Sequence, residues 1–305
     1  MSGPIVVTGA GGFLGAAVVR HALTAGHSVA ALARRSNPER LRTAAGPLSL
    51  HAVDLADSAA VAQILAEVAP SVVVHCAWGG VGGARRAGDV QLDNIRTSVV
   101  LADAAIAAGA RKFVGIGSQA EYGRFDRPIV ESDLPNPSML YGAAKLSANH
   151  LVRQRCEEAG VGFTWLRLFS VYGPGDNPNW LIPSVASAFA RGESPKCTPG
   201  TQLWDYLHID DAAAGVLAAA LGDTAHGVFN LSSGRPIAVR AIIERLQQAI
   251  DPQVPLRFGE IPFGPAQIMH LEGDNSRLTA ATGWRPQVDI MDGLSQLAAT
   301  YRKAA

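Results

Sequence analysis

The chain has 305 residues, 48% of them hydrophobic and 17% charged, which is enough apolar material for a full core. Lysine plus arginine and aspartate plus glutamate balance at 26 each, so no bulk field favours nucleic acid or an anionic membrane surface. The three cysteines, Cys76, Cys156 and Cys197, lie far apart without CxxC or zinc spacing; they read as free thiols in a reducing cytoplasm, and no metal is expected.

Residues 1–7 run straight into a strand and a Gly turn, without the basic start or cleavage site of a signal peptide. The apolar stretch 13–32 is interrupted by Arg20, His21, Gly26 and His27 and makes a poor membrane span. A soluble cytoplasmic protein is expected. Strand signals at 5–7, 28–33, 49–53, 71–76, 112–117 and 163–169 alternate with helix signals at 13–25, 61–68, 90–108 and 138–159. Gly26, Gly109 and Gly160 stand where three of those helices must stop. Apolar strands alternating with helices predict an α/β, doubly wound parallel sheet of Rossmann type.

After Tyr172 a loop, Gly173-Pro-Gly-Asp-Asn-Pro178, changes the punctuation, and Pro recurs through Pro265. Helices are expected near 182–191, 210–220 and 239–249, among short strands. The predicted organisation is a dinucleotide-binding domain over 1–172 and a smaller C-terminal α/β substrate subdomain over 173–305, with some segments returning to the main sheet.

Gly9, Gly12 and Gly15 follow the first strand and open the first helix. Glycine suits that turn because it needs permissive dihedrals and because a pyrophosphate must approach bare backbone at a helix N-terminus. NAD binding usually places an acid at the end of the second strand, NADP binding a cation. Here that segment reads Ala31-Leu-Ala-Arg-Arg-Ser36, with no acid and with Arg34 and Arg35 side by side. Two planar guanidiniums suit a 2′-phosphate, so NADP(H) is preferred over NAD(H), which stays open as the alternative coenzyme.

Tyr141 and Lys145 lie four residues apart and share one face of the fourth helix. A free phenol titrates near about 10 and must fall by roughly 3 units, about 4 kcal/mol, to exchange protons near neutrality. An ammonium about 4 Å away is worth on the order of 4 kcal/mol at an effective dielectric near about 20, which suffices.

Taken in order, these signatures resemble the extended short-chain dehydrogenase/reductase family, the sugar-nucleotide epimerase, dehydratase and reductase group. The turn Thr8-Gly-Ala-Gly-Gly-Phe-Leu-Gly15 is similar to its cofactor turn, and Asp54-Leu55 to its adenine-contacting pair. His75-Cys-Ala77 sits where the family lines the cofactor groove, and Leu166-Arg-Leu-Phe-Ser-Val-Tyr-Gly-Pro174 and Asp205-Tyr-Leu-His-Ile-Asp-Asp211 look like its later signatures. The resemblance implies Ser118, Tyr141 and Lys145 as catalytic residues. It implies cofactor contacts from Gly9, Gly12, Phe13, Leu14, Gly15, Arg34, Arg35, Asp54, Leu55, Ala77, Asn94, Tyr141, Lys145 and Phe169. Asn94 would support a water relay to Lys145, and Gln119, Glu121, Ser170, Asn177 and Arg277 would contact the substrate.

Two departures stand out: Ser170 where family members often carry Asn, and Trp204 where they often carry a diphosphate-gripping Arg, for which Arg277 could substitute. His208 has no metal-ligand partner at suitable spacing and reads as structural.

In Ser118-Gln-Ala-Glu121-Tyr122-Gly123 the adjacent Asp-Glu pair of a 4,6-dehydratase is missing, which disfavours water elimination. An epimerase retains its NAD, whereas a ketoreductase draws on exchanging NADPH and so fits Arg34 and Arg35. The leading expectation is a 4-ketoreductase of an NDP-4-keto-6-deoxyhexose, with a 4-epimerase as the alternative and a non-catalytic dinucleotide sensor as the alternative of another class. The resemblance also implies a homodimer through a four-helix interface built from the helices near 90–108 and 138–159. No nucleic-acid or membrane partner is expected.

Overall fold

The computed structural model describes residues 3–36 and 38–302. Its first part alternates β1 (Ile5–Thr8), α1 (Phe13–Thr24), β2 (Val29–Ala33), β3 (Leu48–Ala52), α2 (Ser58–Val68), β4 (Val72–His75), α3 (Val90–Ala107), β5 (Lys112–Ser118), α4 (Leu140–Glu158) and β6 (Gly162–Leu168). There follow β7 (Ser170–Tyr172), α5 (Leu181–Ala190), β8 (Leu203–Trp204), β9 (Tyr206–His208), α6 (Ile209–Leu221), β10 (Gly227–Leu231) and β11 (Ile237–Ala238). The chain ends in α7 (Val239–Ile250), β12 (His270–Leu271), α8 (Ser276–Thr282) and α9 (Ile290–Arg302). The last two helices go beyond the three late ones expected.

Seven parallel strands form one sheet in the order β10-β6-β5-β4-β1-β2-β3. The expected doubly wound sheet is therefore present. Strand order reverses between β1 and β4, and a crevice opens beyond the carboxyl ends of the strands at such a switch point. Every residue of β1, β2, β4 and β5 is buried, whereas none of the edge strand β3 is. That follows from layering: α1 and α6 cover one face, while α2, α3 and α4 cover the other.

β10 and α6 lie beyond residue 172 yet complete the main sheet and its cover. By contrast α5, α7 and α9 build a separate core around Phe189, Ile242, Leu246 and Leu294. A local detail shapes β5. Trp165 on β6 lies across β5, and a Cβ at Gly115 or Gly117 would come within 2.3 or 2.2 Å of the indole. Only glycine lets that indole pass beneath the strand that carries Ser118. Among the described residues no helix is long and apolar enough to cross a membrane.

Candidate active site

The turn between β1 and α1 is built on close approach. Gly9 has φ +66°, and a Cβ on it would lie 2.7 Å from Ala77 N. A Cβ on Gly15 would fall 2.3 Å from Gly9 O, so α1 can press onto the turn only with glycine there. Gly12 caps α1 without any side-chain bond, and the first turn carries no acid. The leading amides of α1 are thus left for an anion, which fits the diphosphate of a dinucleotide. Phe13 and Leu14 pack their side chains against the sheet core and anchor this helix start.

Leu32 on β2 pairs with Thr8 on β1, so the exposed Arg34 and Arg35 leave β2 one strand away from the Gly turn. Asp54 leaves β3 exposed, with its carboxylate accepting from Ala56 N at 3.0 Å, and Leu55 tucks into the core. Arg40, which nothing in the sequence singled out, donates to Gly175 O at 2.7 Å and Gly11 O at 3.4 Å, tying the loop after β7 to the Gly turn.

A buried hydrogen-bond chain stands behind β4. Ser98 Oγ donates to Asn94 O (2.7 Å), so its oxygen accepts from His75 Nε2 (3.0 Å), which leaves His75 Nδ1 to accept from Thr8 Oγ1 (2.7 Å). Ala77 N closes the chain by donating to Thr8 Oγ1 at 3.4 Å. Burial, and then the charge of Lys145, push the His75 imidazolium down to about 3, so the ring is neutral and β1, β4 and α3 are locked together.

The trio assembles at the switch point. Ser118 ends β5 at 8% exposed, and Tyr141 and Lys145 face it from α4 at 9% and 4%. Ser118 Oγ accepts from Ala120 N, leaving its own proton to donate toward the Tyr141 phenol. Lys145 Nζ donates to Ile116 O and lies 3.7 Å from the centroid of the Trp78 ring. Burial brings its ammonium down to about 7, with Glu121 and Cys76 opposing. Tyr141 is pushed up by burial; Ser118 and Arg86 pull it back, and Glu121 raises it again. Arg86 Cζ stands 4.5 Å over the Tyr141 ring, and Trp78 meets that ring edge-on at 6.4 Å. Neither Arg86 nor Trp78 was expected. Both come from the irregular Gly-rich run after β4, which carries no periodicity to mark a face.

The family model "NAD dependent epimerase/dehydratase family" matches residues 5–232. The chain belongs to this family. Members of the family are enzymes, oxidoreductases of the extended short-chain type, and their cofactor is a nicotinamide dinucleotide. The chain is similar to a UDP-glucose 4-epimerase of Corynebacterium glutamicum (28% identity, 93% of this chain and 91% of that one). It is equally similar to a dTDP-6-deoxy-L-talose 4-dehydrogenase (NAD(P)(+)) of Kitasatospora kifunensis (28%, covering 96% and 94%). Among solved structures, MoeE5 in complex with UDP-glucose and NAD superposes with a TM-score of 0.84 at 27% identity, covering 99% of each chain.

As a member of this epimerase/dehydratase family, the chain nevertheless uses several residues differently from what its sequence suggested. Glu121 is not a substrate contact. It is 0% exposed, its Oε1 accepts from Ser118 N and Trp165 Nε1 (both 2.9 Å), and its Oε2 accepts from Arg167 Nε at 2.8 Å. Arg277 is not in the crevice either: it donates to Val228 O at 2.9 Å and stacks over Phe229, on the outermost strand β10. Both ends of the Asn94 side-chain amide are engaged by Gly79, each at 2.9 Å. Asn94 shapes the loop that bears Trp78.

Asn177 Oδ1 accepts from Asn179 N at 3.0 Å and holds its own loop. Phe169 packs its ring with Tyr122, Ile129 and Leu271. Gln119, directly after Ser118, keeps a buried Oε1 without a partner among the described residues. His208 accepts from Asp210 N at 3.3 Å and caps α6.

Proposed function

We propose that this family member is an NADP(H)-dependent 4-ketoreductase of an NDP-4-keto-6-deoxyhexose, with Ser118, Tyr141 and Lys145 as its catalytic residues. The observation that carries the coenzyme preference, and with it the reaction, is the exposed Arg34–Arg35 pair at the end of β2 with no acid beside it. When bound, the nicotinamide supplies the hydride. Ser118 orients the sugar carbonyl by hydrogen bonding, and Tyr141 protonates the alkoxide as it forms. Lys145, near its own midpoint, supplies positive charge that favours the phenolate left behind. The Kitasatospora relative named as an NAD(P)-linked 4-dehydrogenase supports this reading, since that name describes the reverse reaction.

Water elimination is disfavoured, because Glu121 is held in a buried ion pair and is not free to act as acid or base. The second reading is an NAD-dependent 4-epimerase, favoured by the likeness to the Corynebacterium enzyme. Stoichiometric NADPH oxidation with a 4-keto sugar nucleotide is expected. Interconversion of sugar nucleotides without added coenzyme would instead establish the epimerase. A sensor would keep its biological activity as Tyr141→Phe, which the enzyme would lose.

We take residues 1–172 as the dinucleotide-binding domain and 173–305 as a smaller substrate subdomain with segments returning to the main sheet. The separate core of α5, α7 and α9 supports this, as do β10 and α6 in the main sheet and its cover. A homodimer through α3 and α4 is supported by the exposed Leu92 and Leu151 on those helices, and light scattering would test it.

A further inference from the structure

Arg86 stands in the short 3-10 turn Gly83–Ala87 between β4 and α3. It is no free surface arginine. Gln91 Nε2 donates to Gly80 O at 2.9 Å and Arg85 O at 3.0 Å, which pins the turn to α3. The Trp180 ring packs against Gly82 from the loop after β7. In that fixed turn the guanidinium lies 4.5 Å over the Tyr141 ring, a planar cation against an aromatic face. Its Nε is buried without a partner among the described residues, as is Gln119 Oε1 beside Ser118. A buried donor left open over Tyr141, and a buried acceptor on the residue that follows Ser118, point to a ligand that satisfies them.

We propose that Arg86 is a positioning residue of the proton-transfer site, holding the Tyr141 ring and setting a positive charge beside its phenol. The inference rests on Tyr141 as the proton donor. The groups facing that phenol are Ser118 at the end of β5, Glu121 in the turn behind it and Arg86 after β4. Lys145 lies on the same helix, with His75 and Cys76 of the β4 segment around it. Burial and Glu121 push the phenol up, while Ser118 and Arg86 pull it down. Removing Arg86 therefore raises it further.

The test is an ultraviolet titration of the Tyr141 phenolate, taken as the difference between each protein and its Tyr141→Phe counterpart. Oxidised nicotinamide dinucleotide is present to bring the phenol into range. In Arg86→Met the midpoint should rise by about one unit, and in Arg86→Lys, which keeps the charge, by less. A midpoint unchanged in Arg86→Met overturns the proposal. Should that variant fail to fold, Arg86→Gln is read in the same way. The titration needs no turnover, so failure of every sugar nucleotide to react would overturn the reaction assigned above and leave this result standing.

Discussion

Trp204 Nε1 donates to Ser170 Oγ at 2.7 Å, joining β8 to β7. These are the two positions where the chain departs from its family's usual Arg and Asn, and they are direct partners 34 residues apart. The indole packs between the core of α5, α7 and α9 and the small cluster around Phe169. An apolar ring thus stands where relatives often hold a cation. The serine hydroxyl stands at the ring edge and satisfies its N–H.

Trp204→Phe and Ser170→Ala should each cost about 1 kcal/mol of stability, and the double variant little more than either alone. Urea unfolding of the four proteins in this cycle measures the coupling. Strictly additive losses would show that the bond contributes nothing.

Arg34→Ala combined with Arg35→Ala should raise KM for NADPH by about tenfold or more and change KM for NADH by less than about twofold. Equal effects on both coenzymes would remove the basis for preferring NADP(H).

Glu121→Gln should destabilise the protein by about 3–5 kcal/mol, because Arg167, 4% exposed, keeps its charge without a counter-ion. The loss belongs chiefly in denaturant midpoints, with only a shift in the pH profile of the folded fraction, since Glu121 also raises Tyr141 and Lys145. A variant of normal stability with its kcat abolished would restore Glu121 to the chemistry.

Lys145 is held at about 7 in the folded chain against an ordinary value of 10.5, so between these limits the unfolded chain binds more protons. The contribution of Lys145 to the stability of the coenzyme-free protein should therefore rise with pH from about 7 to about 10, by at most about 1.4 kcal/mol per unit. The buried Cys76 and Cys156 thiols slope the other way above about 9. Lys112, lowered to about 8, slopes the same way as Lys145, so the comparison is with Lys145→Met, which should flatten the profile in part. Identical pH profiles for the two proteins would count against a buried, deprotonating Lys145.

Much was legible in the chain because it is local. Glycines at turns, buried apolar runs and an i, i+4 Tyr–Lys pair each declare themselves within a few residues, and together they gave the alternating β/α order and the trio. The side-chain partnerships across the sheet were not legible. Glu121 is three residues from Ser118 and looked available; it is taken by Trp165 and Arg167, two strand positions on β6 that come beneath β5 only in the folded sheet. Arg277 was expected to supply the charge missing at Trp204, yet α8 lies against the outer edge strand.

By itself, then, the sequence determined the parallel sheet, the Gly turn and the Tyr141–Lys145 pair on one helix face, since those depend on backbone periodicity and on spacing within single elements. Only the tertiary structure decided which charges meet. It set Arg86 over Tyr141, Lys145 against Trp78 and Trp204 onto Ser170, because side chains far apart in sequence find each other through strand order and loop path, which no local pattern encodes.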